Sequence, residues 1–311
     1  MITDLVPVAR FNFSEQLKAL VIDGVASLES KRAYGRAIDI FTDWFIAEKP
    51  ESGFTKATVQ KFKAHLLFRN LAPSTVNLYL AAVKKLAVES SDNGYLPSEV
   101  CAAILRVPGV KRLGVRTGNW LTKRQAEELI ESPGAKTLIA KRDTAILAVL
   151  LGTGLRRNEL SSLRIDHIQM REARWVLVDI VGKGKRVRSV PMPSWAKAFI
   201  DSWTSAAQIE SGKVFRRVNK GGNVGGASMS PQAVFDVVRK YSTLRKNPIS
   251  AHDTRRTFAK SAHAGHAAVE QIQLCLGHAS IATTEGYLGI RQNLSDAPCD
   301  HLGFRISVDN D

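Results

Sequence analysis

Cysteine is scarce in this sequence, with Cys101, Cys275 and Cys299 as the three among 311 residues. An odd number of widely spaced cysteines excludes a disulfide-stapled secreted scaffold, offers no zinc-site spacing and predicts free thiols in a reducing compartment. Long apolar runs are absent too, because the longest, from Ala145 to Leu155, is shorter than a membrane span and is broken by glycine. The opening M-I-T-D-L-V-P lacks the basic region and apolar core of a signal peptide. We therefore expect a cytoplasmic protein without a membrane partner.

Acidic residues are fewer than basic ones, 29 against 44, which leaves a formal net charge of +15. The excess is uneven, because residues 1–100 contain 12 basic and 11 acidic residues and the rest of the chain contains 32 and 18. A positive excess attracts polyanions, most often nucleic acid, although a solubility surplus or a ribosome-like surface would also explain it. Hydrophobic residues make up 44%, and the length allows two domains with separate cores, so disorder of the whole chain is excluded.

The first hundred residues predict a helical bundle. Apolar residues recur at intervals of three and four after Ser30, and the pattern ends at Pro50. Further helices are predicted after Thr55 or Thr58 and after Pro73, and one near residues 13–26 would complete a four-helix bundle. Two of these helices have basic outer faces, which are usually just solvated surface. Because they lie in a domain of otherwise balanced charge, they favour a DNA-facing side. The candidate DNA-binding residues on them are Lys56, Lys61, Lys63, Lys84 and Lys85.

Residues 106–119 interrupt the helical pattern with proline, three glycines and four cations, which predicts a basic linker. Lys111 and Arg112 could lie along a DNA backbone, and an ordinary flexible tether is the alternative. After the linker, Thr122 can cap a helix, and residues 138–151 predict a buried apolar helix. Residues 175–181 and 187–191 predict a hairpin, and two more helices are expected after it. The second domain is therefore predicted to be mostly helical with a small antiparallel sheet.

Side chains suited to phosphate chemistry are concentrated near the end of the chain. His252 and Arg255 are three residues apart, so on a helix they share one face. His278 follows a Leu-Gly turn, and Tyr287 comes nine residues later. A phenol can act as a nucleophile, imidazoles can move protons, and arginine can hold phosphate oxygens with its two-pronged fork. The segment therefore predicts attack on a phosphate group.

Three earlier residues could complete such a site. Arg156 lies where a G-T-G turn leads into a helix, and Glu159 is placed to orient its guanidinium. Lys183 lies at the tip of the predicted hairpin between two glycines, from which it could reach a DNA groove. Taken singly, Arg156 is better explained by an ordinary salt bridge and Lys183 by a solvated turn. Lys185, two residues further on, is an alternative to Lys183.

Taken together, the motifs resemble those of the tyrosine recombinase (phage integrase) family over about residues 14–290. T-G-L-R-R-N-E-L resembles the first arginine box, V-G-K-G-K-R-V-R-S-V-P the hairpin box, H-D-T-R-R-T-F-A the second arginine box, and L-G-H-A-S-I-A-T-T-E-G-Y the histidine–tyrosine box. The resemblance implies a mainly α fold with a small antiparallel sheet, made of an N-terminal SAM-like helical bundle and a C-terminal mixed α+β catalytic domain. It implies as catalytic residues Arg156, Lys183, His252, Arg255, His278 and the nucleophile Tyr287.

The resemblance also implies a mechanism. Tyr287 would attack a scissile phosphodiester and form a 3′-phosphotyrosine, while the two arginines hold the non-bridging oxygens. Lys183 would protonate the leaving 5′-oxygen, His252 would exchange a proton with the phenol, and His278 would hydrogen-bond a phosphoryl oxygen. Arg256 is expected to touch a neighbouring phosphate. No metal or cofactor is implied, because the arginines supply the positive charge.

The expected domain division is an arm at 1–13, a helical core DNA-binding domain at 14–105, a basic linker at 106–119, a catalytic domain at 120–290 and a tail at 291–311. In the tail, Leu302, Phe304, Ile306 and Val308 alternate with polar residues, which predicts a strand. We expect this strand either to add to a neighbouring subunit or to fold back onto the chain's own sheet.

The sequence resembles simple two-domain members of the family, of the Xer and Cre kind. This resemblance implies double-stranded DNA with short, partly palindromic recombination sites as the partner, a homotetramer on DNA, a monomer free in solution, room for accessory proteins, and association with the nucleoid. Two alternatives stay open at this point. One is a topoisomerase-like nicking and closing enzyme that acts as a monomer, and the other is a non-catalytic DNA-binding protein that keeps the fold.

Overall fold

The computed structural model describes residues 15–111, 119–219, 221–242 and 248–288. The chain divides into two compact units, Met1–Val115 and Arg116–Asp311, and the division falls inside the predicted linker. The predicted arm at 1–13 and the tail at 291–311, with its expected strand, lie outside the described residues. The described chain is mostly helical, with small antiparallel sheets in the second unit, which confirms the predicted fold class.

Five helices are described in the first unit. They are α1 (Glu15–Asp23), α2 (Leu28–Glu48), α3 (Lys56–Phe68), α4 (Pro73–Asp92) and α5 (Ser98–Leu105). Ser27 caps α2, Thr55 precedes α3, and Pro73 occupies the first position of α4, where its missing N–H is not needed. The sequence pattern predicts four of these helices. The fifth, α5, is too short for an apolar period to reveal it.

The core of the first unit is built around aromatic rings. The ring centroid of Phe41 lies 4.9 Å from that of Phe62 and 5.4 Å from that of Phe54, and Trp44 lies 5.1 Å from Phe62. All four side chains are buried. Tilted and edge-to-face ring pairs of this kind add to the stability that burial of their large apolar area supplies. They join α2 to α3 and to the turn that precedes α3.

The first part of the predicted linker is packed on the first unit. Val107 is 1% exposed and belongs to its core. Asn77 on α4 accepts a hydrogen bond from the Val110 N–H and donates one to the Val110 carbonyl. The chain therefore stays on the first unit as far as Val110, and a free tether can begin only after it. A pattern of proline and glycine does not reveal such side-chain anchors.

The second unit contains the remaining described elements. Its helices are α6 (Lys123–Glu131), α7 (Leu138–Thr153), α8 (Arg157–Ser162), α9 (Ser194–Ala206), α10 (Pro231–Ser242), α11 (Ala251–Ala264), α12 (Val269–Leu276) and α13 (Ile281–Leu288). Its strands are β1 (Ile168–Arg171), β2 (Arg174–Val181), β3 (Val187–Met192), β4 (Arg217–Val218) and β5 (Val224–Gly225). The first three form an antiparallel sheet in the order β1-β2-β3, and β4 pairs with β5. The predicted hairpin is β2 and β3.

Helix α7 is the centre of the second core. Thr137 caps its start by accepting a hydrogen bond from the Ala140 N–H, and nearly every residue from Ala140 onward is buried. The helix ends at Gly154, whose φ of 65° is in the left-handed region. A Cβ atom at this position would lie 2.6 Å from the ring of Phe258, so both the backbone angle and the available space require glycine. This abrupt end carries Arg156 to the start of α8.

Helix α6 begins as the sequence predicts. Thr122 accepts a hydrogen bond from the Gln125 N–H, and the Gln125 side chain accepts one from the Thr122 N–H, which is a capping box. Within the described residues, no helix combines the length and the apolar character needed to cross a membrane.

Candidate active site

Arg156 and Glu159 form an ion pair at the start of α8. One carboxylate oxygen of Glu159 accepts from the Arg156 backbone N–H at 2.8 Å, and the other accepts from Arg156 Nη1 at 2.9 Å. The Glu159 side chain is 3% exposed, whereas that of Arg156 is 31% exposed. Burial alone would raise the pKa of Glu159, but hydrogen bonds from arginine side chains and from the Arg156 backbone lower that pKa below its usual value. Glu159 is therefore an ionised anchor that orients a partly exposed guanidinium, as the sequence predicts.

A second arginine on this carboxylate, Arg188, is the residue that motif reasoning missed. Its Nη1 and Nη2 atoms donate to the two oxygens of Glu159 at 3.0 and 2.9 Å, and its Nε donates to the Cys275 carbonyl at 2.8 Å. A signal was present in the sequence. Side chains two residues apart on a strand point to the same face, so Arg188 shares a face with the buried residues Val190 and Met192 of β3. A cation on the inward face of a strand needs a partner inside the protein.

Arg255 lies in α11 and is 1% exposed. Its Nη1 donates to the Gly154 carbonyl at 2.6 Å, and its Nη2 donates to the Leu276 carbonyl. These two carbonyls belong to the C-terminal ends of α7 and α12, where helix dipoles leave partial negative charge. The fold therefore holds this guanidinium in place through the ends of two helices, without a carboxylate in either of these bonds.

His252 lies in the first turn of α11, three residues before Arg255, as the spacing predicts. Ser250 caps this helix, and its N–H and hydroxyl donate to Asp253. Burial lowers the pKa of His252 below its usual 6.5, and the charges of Arg256 and Arg255 lower it further, with Asp253 opposing them. The imidazole is therefore neutral near pH 7 and can accept a proton.

His278 follows the C-terminal end of α12, where Gly277 has a φ of 62°. Its Nδ1 lies 2.9 Å from the hydroxyl oxygen of Thr284, a buried residue of α13. Burial lowers the pKa of His278 to about 4, and the charges of Arg255 and Arg156 act in the same direction. The second imidazole is therefore also neutral near pH 7, and it is tied to the helix that carries Tyr287.

Arg156, His252 and Arg255 line a cleft of about 340 Å³. Its lining consists of Arg156, Arg157, Asn158, Phe235, Ser250, Ala251, His252 and Arg255. Three of the predicted catalytic residues are thus brought together from the starts of two helices, α8 and α11, that are far apart in the sequence. Two guanidiniums and a neutral imidazole at one cleft can bind an anion and accept a proton beside it.

Two predicted catalytic side chains lie outside what the structure describes. Lys183 begins the tight turn between β2 and β3, in which Gly184 has a φ of 74°. Tyr287 belongs to α13, and the carbonyl of the next residue, Leu288, accepts a hydrogen bond from Lys260 Nζ at 3.0 Å. The backbone of each is described, and their side-chain positions are not. The choice between Lys183 and Lys185 stays a prediction.

Several candidate DNA-binding lysines have partners within the first unit. Lys63 Nζ donates to the Pro108 carbonyl at 2.9 Å, and Lys84 Nζ donates to the carbonyls of Leu105 and Val107 at 2.8 and 2.7 Å. Lys85 pairs with Glu89 at 3.2 Å. In the second unit, Arg256 lies 3.9 Å from a carboxylate oxygen of Asp253. Lys61 and Lys111 are exposed, Lys56 is partly exposed, and Arg112 lies outside the described residues.

The described site combines a carboxylate-oriented arginine with an arginine on two helix ends and two neutral imidazoles, all in the second unit. Residues 119–293, more than half of the chain and including this site, match the family model described as the phage integrase family. The chain belongs to the phage integrase family of tyrosine recombinases, as its motifs indicate. Its activity is therefore site-specific DNA recombination.

Curated relatives agree with this assignment. The chain is 28% identical over 285 residues to tyrosine recombinase XerC of Thermodesulfovibrio yellowstonii, with 89% of each protein covered. It is 30% identical over 224 residues to tyrosine recombinase XerD of Pasteurella multocida, covering 70% of this chain and 71% of that one.

Solved structures share the fold at lower identity. The XerH site-specific recombinase, solved bound to palindromic difH substrate as a post-cleavage complex, has a TM-score of 0.67 at 18% identity and covers 84% of this chain and 76% of that one. A lambda integrase(75-356) dimer bound to a COC′ core site has a TM-score of 0.64 at 13% identity and covers 88% of this chain and 93% of that one.

Proposed function

We propose that this recombinase cuts and rejoins double-stranded DNA through a covalent 3′-phosphotyrosine at Tyr287. The observation that carries the proposal is the cleft at which Arg156, Arg255 and His252 meet, in a fold whose relatives are tyrosine recombinases. In the first step the Tyr287 oxygen bonds to the scissile phosphorus, and the bond from phosphorus to the 5′-oxygen breaks. Rejoining reverses these bonds with a 5′-hydroxyl as the attacking group, so the bond energy is conserved in the covalent link.

The arginines hold the charge that grows on the phosphoryl group. Arg255 is rigid, because it is buried and bound to two backbone carbonyls. Arg156 is partly exposed and is oriented by Glu159, so its remaining donors are available to a phosphate oxygen. Donors fixed in advance in a partly buried site need little reorganisation during the reaction, and for that reason they stabilise the transition state well.

Proton transfer uses the neutral imidazole and the hairpin lysine. A phenol with a pKa near ~10 is a weak nucleophile unless a base takes its proton, and His252 is a neutral acceptor near the arginines. Lys183 gives a proton to the leaving 5′-oxygen. His278 stays neutral and donates to a phosphoryl oxygen, with Thr284 bonded to its other side.

The partner is double-stranded DNA with short, partly palindromic sites. Relatives of this fold have been solved bound to DNA, among them XerH on palindromic difH and the Tn1549 transposon integrase on transposon right end DNA. Residues 14–105 serve as the core DNA-binding domain, 106–119 as the linker, 120–290 as the catalytic domain and 291–311 as a tail that joins subunits in a homotetramer. The protein is monomeric when free and acts at the nucleoid, with accessory proteins where a site requires them. The side chains that contact DNA are Lys56, Lys61, Lys63, Lys84, Lys85, Lys111, Arg112 and Arg256.

Covalent trapping tests this function. DNA from the protein's own genetic neighbourhood, carrying nicks near candidate sites, is incubated with the protein and resolved on a denaturing gel. We expect a slow protein–DNA band that disappears in Tyr287→Phe and persists in Tyr95→Phe, a matched control at an exposed tyrosine of the first unit. Tight binding without any band would favour the non-catalytic alternative, and a band in Tyr287→Phe would identify another nucleophile.

A second measurement separates a recombinase from a topoisomerase-like enzyme. Two differently labelled duplexes that carry the trapped site are mixed with the protein. A recombinase yields duplexes with exchanged arms, whereas a nicking and closing enzyme relaxes supercoiled DNA and returns each labelled duplex unchanged.

A further inference from the structure

Arg188 joins two parts of the proposed active site that are distant in sequence. Its guanidinium fork binds both oxygens of Glu159, the carboxylate that orients Arg156. Its Nε binds the carbonyl of Cys275, which lies three residues before His278. One side chain of β3 thus spans from the start of α8 to the turn at the end of α12.

The surrounding backbone leaves room for this side chain. A Cβ atom at Gly182 would lie 3.0 Å from Arg188 Nη1, and a Cβ atom at Gly277 would lie 2.9 Å from Arg188 Cδ. Gly182 precedes the hairpin lysine, and Gly277 precedes His278. Two glycines from separate motifs therefore both border the Arg188 side chain. The backbone on both sides is thus shaped to accommodate this side chain, and its contacts are not those of an incidental surface residue.

Arg188 acts at a distance from the reacting atoms. The described lining of the cleft includes Arg156 and Arg255 and does not include Arg188. The Arg188 side chain is 10% exposed and all three of its hydrogen bonds are made within the protein. Because the Arg188 side chain is almost buried and lies outside the described lining of the cleft, we argue that it acts through the residues that it holds.

We propose that Arg188 is a positioning residue that fixes Arg156, through Glu159, in register with the turn that carries His278. The inference rests on the proposed function, because it concerns how the two sides of that active site are aligned. Without Arg188, the Glu159 carboxylate would be bound by Arg156 alone, and the turn before His278 would lose one of its side-chain anchors, although Arg255 would still bind the Leu276 carbonyl. Arg156 would then hold the phosphoryl oxygens less accurately.

The test compares Arg188→Met, which keeps the volume and loses the donors, with Arg188→Lys, which keeps the charge and loses the fork. Arg174→Met, at the exposed start of β2, is the control for removing one positive charge. Single-turnover formation of the covalent complex is measured on a nicked duplex that carries the trapped site. A second duplex carries a methylphosphonate at the scissile position, whose lost negative charge lessens the need for an aligned arginine.

We expect Arg188→Met to slow cleavage of the ordinary phosphate by about 10²-fold, the effect of a displacement of roughly 1 Å in a catalytic group. On the methylphosphonate the deficit should shrink to below about tenfold, and Arg188→Lys should lie between Arg188→Met and the unmodified protein. Arg174→Met should match the unmodified protein on both duplexes. An equal deficit on both duplexes would mean that the substitution only lowers the folded fraction, and this result, like an unchanged rate, overturns the proposal.

A second readout needs no DNA and separates failure of this inference from failure of the proposed function. Thermal unfolding is followed at pH 7 and at about pH 4.5 for Arg188→Met, Arg188→Lys, Glu159→Gln and the double variant Arg188→Met/Glu159→Gln. The pKa of Glu159 is lowered in the fold, so its stabilising contribution is present above the unfolded pKa and is lost as the pH falls through the folded one.

The double variant should lose less stability than the sum of the losses in the two single variants. Strict additivity of these losses would contradict the link between Arg188 and Glu159. If Arg188→Met does not fold, Arg188→Lys with Glu159→Gln gives the same comparison.

Discussion

The two units bury different kinds of side chain. In the described part of the first unit, the buried polar residues are Thr58 and Ser90, and both hydroxyls donate to nearby backbone carbonyls. In the second unit, the buried set includes charged residues, Arg142, Asp143, Glu159 and Arg255. The first core is aromatic and neutral, whereas the second has ion pairs and a buried guanidinium beside its apolar cluster.

This difference indicates what each unit is built to do. Burying charge is costly, and a buried ion pair is often no more stable than apolar residues of the same volume. The second unit keeps buried charges where they fix the direction of a guanidinium, so we expect its polar substitutions to lower activity more than stability. The first unit has an apolar core that contains none of the proposed catalytic residues, so we expect substitutions in this core to lower stability and to leave the chemistry of folded molecules intact.

The largest expected effect on stability is in the first unit. Phe62→Ala removes a fully buried ring that contacts Phe41 and Trp44, and we expect a loss of about 3–5 kcal/mol in the free energy of unfolding. Phe68→Ala is the control on the same helix, because Phe68 is 87% exposed and its removal leaves no cavity. Denaturant unfolding measures both variants, and equal losses would show that the aromatic core is not what stabilises this unit.

The second prediction concerns the buried guanidinium of the other unit. Arg255→Met removes the donors to Gly154 and Leu276 and the charge at the cleft, and we expect single-turnover cleavage to fall by about 10²–10³-fold. Arg124→Met, at a side chain that is 90% exposed, should cleave at the unmodified rate. The unfolding free energy of Arg255→Met should drop by less than that of Phe62→Ala. A larger drop would remove the contrast between the two units.

Sequence spacing located the parts of the site that are local along the chain. His252 and Arg255 share a helix turn, and Glu159 reaches back three residues to Arg156, so a pattern of a few letters predicts both pairs. Phe41, Trp44 and Phe62 of the first core follow from the same reasoning, because they lie at helical intervals, whereas Phe54 precedes α3 and shows no such period. Short elements such as α5 and β1 were not predictable, since they are too brief to show a period.

Contacts between distant residues escaped the sequence pattern for a physical reason. Arg188 binds a carboxylate 29 residues earlier and a carbonyl 87 residues later, and Lys84 binds carbonyls that are 21 and 23 residues away. A cation on a strand or a helix face has the same local pattern whether it meets water, DNA or a buried carbonyl. Packing decides among these partners. Lys84, proposed above to contact DNA, also anchors the segment after α5 through its bonds to the two carbonyls.

The smallest expected effect concerns one hydrogen bond of the second unit, between His278 and Thr284. Because the folded pKa of His278 is about 4 and its ordinary value is 6.5, the unfolded chain binds more protons between these values. The stability contributed by neutral His278 is therefore complete above pH 6.5 and is lost as the pH falls toward 4. Cleavage should likewise keep its plateau below pH 6.5, because the pKa of His252, the proposed base, is also lowered. Thr284→Val removes the hydroxyl beside Nδ1, and we expect a loss of about 2–10-fold at pH 7.5, the value of one hydrogen bond. Thr284→Ser, which keeps the hydroxyl, should keep the rate. A loss of cleavage already at pH 6.5 in the unmodified protein would mean that burial and the neighbouring arginines do not keep the two imidazoles neutral, and it would contradict the contrast between the two units.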